Sequence, residues 1–319
     1  MPDSIKKTKI IHQSKSKGKS KGKSRKIFLY KLFKQPGDPK KPVNLFMGSS
    51  SIGVFNLFTK NTNNLIYKFK GATAKGLLTN DNGKDIMKVL EEYKKRKIHI
   101  NCIVMHFGEV DLNFSYFFKS LQNIQAKAKD DWYIPYREFC DSVLTPYKEF
   151  LNKVIRVSQC KQLVIKGIYP NPLADGNKKL QLVNYAIMQP DEADKLIPST
   201  LTKKFEEMMR KYYNTELRKG CNGKMHGKIH GKMYYYDLDK ELLDKDGMHV
   251  KNEYCDLSKV NIHLRWEPLV KLHLKKLMQM GWCGITKNDI VDEEKLKADE
   301  KEYLEYKKQK LQAKGFLEG

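Results

Sequence analysis

Apolar residues along the chain gather into five short runs separated by polar, charged or glycine-bearing stretches. The first, Val43-Asn44-Leu45-Phe46-Met47, stops at Gly48 and three serines, and apolar residues resume at Ile52, Val54, Phe55, Leu57 and Phe58. The other runs are Asn64 to Phe69, Ile98 to Phe107, Gln162 to Tyr169 and Met233 to Leu238. Runs of this length and character predict buried strands. Between them the apolar spacing changes to that of helices. Gly83 to Lys97 places Ile86, Val89, Leu90 and Tyr93 on one face, and Thr145-Pro146 reads as an N-cap with proline at the first helical position. Tyr147, Phe150, Leu151, Val154 and Ile155 form the buried face of that helix. Residues 177–219 read as mostly helical, and Trp266 to Met280 as a helix with Leu269, Leu272, Leu277 and Met280 turned inward.

Strands alternating with helices predict a parallel sheet covered on both faces, so the expected class is α/β. The expectation is a three-layer α/β/α sandwich with a mostly parallel five-stranded sheet. Ile27 to Phe33 reads as an extra edge strand. The predicted organisation is a disordered basic tail over 1–26, an α/β domain over 27–282 and a charged C-terminal helix over 283–319. The tail is low-complexity Lys, Ser and Gly, which cannot bury enough surface to order itself.

Charge adds a partner class. The formal net charge is +24 on 319 residues, and residues 1–26 contribute about +9 of it. The tail suits non-specific binding of nucleic acid or another polyanion. Only seven of the 61 basic residues are arginine, which argues against a dedicated reader of base sequence. No signal peptide or membrane-spanning run is visible, so an intracellular, reducing compartment with the six cysteines as free thiols is expected. The GKxH units of Gly223–Gly231 read as a flexible basic loop, because interleaved glycines oppose a helical pair of metal ligands. No metal or other cofactor is expected.

Candidate chemistry collects at strand ends. Gly48, Gly71 and Gly108 each follow a predicted strand, and loops after the first and third strands of a doubly wound sheet face one crevice. That puts Ser50 and Gly108-Glu109-Val110-Asp111 in one site. His106 reads as a satisfied core histidine, and Asp111 as a structural carboxylate more than a proton carrier.

These blocks resemble an SGNH/GDSL-type hydrolase. Gly48-Ser49-Ser50 matches that family's Gly-Asp-Ser block, with serine in the aspartate's place. Gly71 fits the glycine after the second strand, and Gly108-Glu109-Val110-Asp111 fits Gly-x-Asn-Asp, with valine where asparagine is expected. HFGEVDLNF and NIHLRWEPL together resemble a branch with FGE(V/I)D and IHLxWE blocks. The resemblance implies a serine esterase in which Ser50 is the nucleophile and the Ser50 and Gly71 N–H groups bind the oxyanion. An ester, carbohydrate or otherwise polar, is the implied substrate class. Asn113 is the nearest replacement for the missing asparagine donor. His263 is the expected base, although Val260 stands where the family has its aspartate and Asp256 is the nearest carboxylate upstream. Asp246 and His249 satisfy Asp-x-x-His literally and form the alternative. Two other readings stay open: a ligand-binding protein on a degenerate site, and a basic nucleic-acid-associated or virion-type protein.

Overall fold

The computed structural model describes residues 32–289, without 59, 127–133, 223–231 and 257–260, together with single positions 294, 298, 301, 304, 305, 308 and 309. The basic tail, the greater part of the predicted edge strand, the GKxH segment and most of the predicted C-terminal helix lie outside the described residues. The architecture below is that of the unit Lys34–Gly319.

The five apolar runs form five strands, β1 (Val43–Gly48), β2 (Asn64–Lys68), β3 (Ile100–His106), β4 (Gln162–Lys166) and β5 (Lys232–Tyr236). They pair in the order β2-β1-β3-β4-β5, and every pairing is parallel. β1 is buried along its whole length, as a central strand covered on both faces must be. The order reverses beside β1, so the chain leaves β1 toward β2 and returns across it to β3. That reversal opens a crevice at the carboxyl ends of β1 and β3.

The main helices are α1 (Asp81–Lys95), α2 (Tyr116–Gln125), α3 (Tyr136–Ser158), α4 (Asn177–Asn184), α5 (Lys203–Asn222) and α6 (Trp266–Gln279). Asn80 caps α1, its side chain accepting from the Gly83 N–H at 3.0 Å. α3 corrects one expectation. It begins at Tyr136, ten residues before Pro146, and the proline lies inside it. The apolar face already runs through Phe139, Cys140, Val143 and Leu144, so burial carries the helix across a residue that interrupts its hydrogen bonding.

One face of the sheet packs Phe46, Val104 and Val164 against Ile52, Phe55, Leu264, Leu269, Val270 and Leu277. The segment after β1 and the segment leading into α6 therefore share one core. Cys102 on β3 is disulfide-bonded to Cys283 after α6, which corrects the expectation of six free thiols. The two residues are 181 apart in sequence and their Cα atoms are 5.0 Å apart. The fold brings them together, and their spacing along the chain carries no sign of it. Cys140, Cys160, Cys221 and Cys255 are free. No helix among the described residues is long and apolar enough to cross a membrane.

Candidate active site

Three strand ends meet at Gly48. Its carbonyl accepts the Phe69 N–H beyond β2 at 2.8 Å, and the next residue, Ser49, donates its N–H to the His106 carbonyl at the end of β3 at 3.0 Å. From this clamped point the chain turns into a 3-10 helix, Ser50–Leu57. The turn sorts the three serines. Ser49 and Ser51 are buried, and Ser50 is half-buried. The Ser49 hydroxyl has no hydrogen-bond partner among the described residues.

His263 arrives from the other end of the chain. The side chain of Asn261 accepts the His263 N–H at 3.1 Å, making a local turn, and Leu264 anchors the segment in the core. Trp266 then lies against Gly53, where an added Cβ would fall 2.4 Å from the indole ring. Only glycine lets the two segments approach this closely. The outcome is a contact of 3.2 Å between His263 Nδ1 and the hydroxyl of Ser51, across 212 residues of sequence. The expected nucleophile was Ser50. The serine that His263 reaches is its neighbour.

The same Ser51 hydroxyl donates a short hydrogen bond to the carboxylate of Glu109. The other oxygen of Glu109 is 2.9 Å from His106 Nε2. Gly108, immediately before it, stands at φ +114°, and a Cβ there would fall 2.6 Å from the Tyr213 hydroxyl. Backbone at that angle turns sharply off the strand and carries Glu109 inward, where it is only 5% exposed. Burial pushes the His106 ring toward its neutral form. With a proton on Nε2 the ring donates to Glu109. Burial opposes the charge on Glu109, but His106, Lys166 and His263 outweigh it and hold the carboxyl at about 2.

Asp111 does something different. It accepts the Ala74 N–H at 2.6 Å and the Lys75 N–H at 3.4 Å, tying the loop after β3 to the loop after β2. Gly71, the glycine expected in the second block, opens that loop at φ +70°. Burial raises the Asp111 carboxyl to about 7, outweighing those N–H donors. A carboxyl that titrates higher in the fold than in the unfolded chain stabilises the fold below its ordinary value near 3.8, and that contribution is lost as pH rises toward 7. Glu109 has the opposite sign, because its contribution is present above 4.5 and is lost as pH falls toward 2. Asp111→Asn should therefore melt higher relative to wild type at pH 8 than at pH 4.5. Thermal melts of both proteins at the two pH values check this, and an unchanged difference would show that Asp111 does not ionise in that window.

Other expected site residues lie elsewhere. Asn113 takes hydrogen bonds on its side-chain oxygen from Asn171 at 3.1 Å and Lys178 at 3.4 Å. Asp246 and His249 pair with each other at the surface. His249 lines a cavity of about 440 Å³ with Lys179, Lys203, Lys204, Leu201 and Met248. The carboxylate on Ser51 and its support by His106 were missed at the level of sequence. The spacing His106-x-x-Glu109 at a strand end was the available sign.

The serine loop follows β1, Gly71 follows β2 and Gly108-Glu109-Val110-Asp111 follows β3. No protein-family model matches the chain. No curated protein matches it. Among solved structures it is similar to an acylhydrolase candidate from Bacteroides fragilis NCTC 9343, at 11% identity and a TM-score of 0.42, over 83% of this chain and 99% of that one. It is also similar to a GDSL-like lipase from Bacteroides thetaiotaomicron VPI-5482, at 10% identity and a TM-score of 0.39, over 81% and 97% of the two chains.

Proposed function

We propose that this chain is a serine acyl hydrolase in which Ser51 attacks an ester carbonyl and His263 carries the proton. The observation behind it is the 3.2 Å contact between the Ser51 hydroxyl and His263 Nδ1 at the carboxyl ends of β1 and β3. A serine hydroxyl is a weak nucleophile until a neighbouring base accepts its proton. In the first step the Ser51 hydroxyl rotates its proton from Glu109 to His263 Nδ1, which takes it as Oγ bonds to the carbonyl carbon and the carbonyl π pair moves onto oxygen. Collapse of that intermediate breaks the ester C–O bond, and His263 returns the proton to the departing alcohol. Water then repeats the sequence on the acyl-serine and releases the acid.

The oxyanion needs N–H donors. The Ser50 and Ser51 N–H groups open the 3-10 helix Ser50–Leu57, ahead of the Ile52 N–H, which bonds the Ser49 carbonyl at 3.3 Å. Val110 offers no side-chain donor where the resemblance implies asparagine, and the loss of one donor costs on the order of 10²–10³ in rate. Slow turnover of a polar ester, such as an acylated carbohydrate, fits this site.

The test is labelling of the full chain with a fluorophosphonate, followed by peptide mapping. Covalent phosphonate on the peptide carrying Ser51, absent in His263→Ala, supports the reading. Val110 favours a second one, in which the site holds an ester without turning it over. Saturable ester binding with no labelling of a folded chain would select it.

A further inference from the structure

Glu109 touches the serine of this site but reaches it from β3, far in sequence from His263. Resting on the serine hydrolase reading, we propose that Glu109 is a catalytic carboxylate of the site, positioned by His106. It holds the Ser51 hydroxyl and supplies the negative charge beside which His263 becomes an imidazolium.

Both carboxylate oxygens are committed, one to the Ser51 hydroxyl and one to His106 Nε2 at 2.9 Å. His106 is 1% exposed and its ring packs on Tyr169 with centroids 5.0 Å apart, so the donor is fixed in place. Behind this pair Lys166 of β4 is fully buried over the Tyr169 ring, and its amine has no hydrogen-bond partner among the described residues. The charged and titratable groups around Glu109 are thus His106 from β3, Lys166 from β4, Tyr169 just beyond β4 and His263 from the segment before α6. Those acting on His106 are Lys166, Glu109 and His263.

The division of labour follows from basicity. A carboxylate that remains ionised down to about pH 2 is too weak a base to take a serine proton near neutrality. The proton goes to His263, and Glu109 stays anionic throughout. A fixed anion near a developing imidazolium stabilises the transition state more than the ground state; unlike the carboxylate of a serine–histidine–aspartate triad, which bonds the histidine, Glu109 reaches the serine. Where the sequence has Val260 three residues before His263, this fold offers a carboxylate from a different strand.

The experiment has two independent readouts on the full chain. Histidine labelled with ¹⁵N is titrated by NMR to obtain the His263 midpoint, assigned by loss of its signal in His263→Gln. The kcat/KM for a short-chain aryl ester is measured against pH. The variants are Glu109→Gln, Glu109→Asp, His106→Gln and His106→Leu, each checked for a folded melt. Removing the anion should lower the His263 midpoint in Glu109→Gln, reduce kcat/KM on the order of 10²–10⁴, and move the acidic limb of the profile to lower pH. Glu109→Asp should keep the wild-type midpoint. His106→Gln retains an N–H donor and should keep most of the activity, whereas His106→Leu should fall with Glu109→Gln. An unchanged His263 midpoint in Glu109→Gln overturns the proposal, as does a loss of rate with no movement of the acidic limb. Absence of Ser51-dependent turnover would overturn the hydrolase reading instead, and the titration would still decide whether Glu109 acts on His263.

Discussion

Ser51→Ala should abolish ester hydrolysis and fluorophosphonate labelling, while Ser50→Ala leaves both nearly intact. Removing the attacking oxygen of a serine hydrolase leaves only binding and oxyanion stabilisation, so kcat should fall by at least about 10³. Ser50 is half-buried at the start of the 3-10 helix, and a small truncation there should change the rate by less than about threefold. His263→Ala should lose activity with Ser51→Ala, and the double variant should be no worse than either, because the two groups act as one unit. Melting temperatures within a few degrees of wild type would show that these losses are chemical. The reverse result, activity lost in Ser50→Ala and kept in Ser51→Ala, would remove the geometric basis for the site.

The distinction between those serines shows where sequence reading stops. Ser49, Ser50 and Ser51 are chemically identical, and the strand-to-turn boundary localises them only as a group. Which one faces His263 depends on the dihedral path from Gly48 into the helix, fixed by the bonds at Ser49 N–H and the Gly48 carbonyl. The strands were legible because each is an apolar run closed by glycine, proline or charge. Their parallel order followed from the alternation with helices. Thr145-Pro146 misled because local capping preference is worth about 1 kcal/mol, whereas the continuous face from Phe139 to Ile155 buries many side chains. A lone carboxylate at a strand end is as readily a plain solvated residue as a substrate contact, so Glu109 carries no local sign of its partner. His106, three residues earlier, was read as a core histidine with no partner named. Each is the other's explanation, and pairing them needs the turn at Gly108. The Cys102–Cys283 bond had no local sign at all.

Arg210→Met should destabilise the fold by about 3–5 kcal/mol. Arg210 is 3% exposed on the inner face of α5. It donates to Glu207 and to Asp239, each at 2.7 Å, and to the Ile168 carbonyl beyond β4 at 3.3 Å. Asn214, one turn along, fixes the same Ile168 through its N–H at 2.9 Å and its carbonyl at 3.0 Å. Removing the guanidinium leaves the buried Glu207 carboxylate and Asp239 without their cation, and desolvated charge without a partner is what makes such losses large. In a chain of this size that cost should lower the melting temperature by roughly 5–8 °C. The exposed pair Lys84–Asp81, at 3.0 Å on α1, supplies the contrast, since Lys84→Met should cost less than about 1 kcal/mol. Glu207→Leu added to Arg210→Met should recover part of the loss, because it removes the stranded carboxylate while filling its space with carbon. Urea denaturation of the four proteins measures all of these differences. A double variant no more stable than Arg210→Met would mean that the guanidinium acts through the Ile168 carbonyl and Asp239, and that α5 is fastened to the end of β4 chiefly by those bonds.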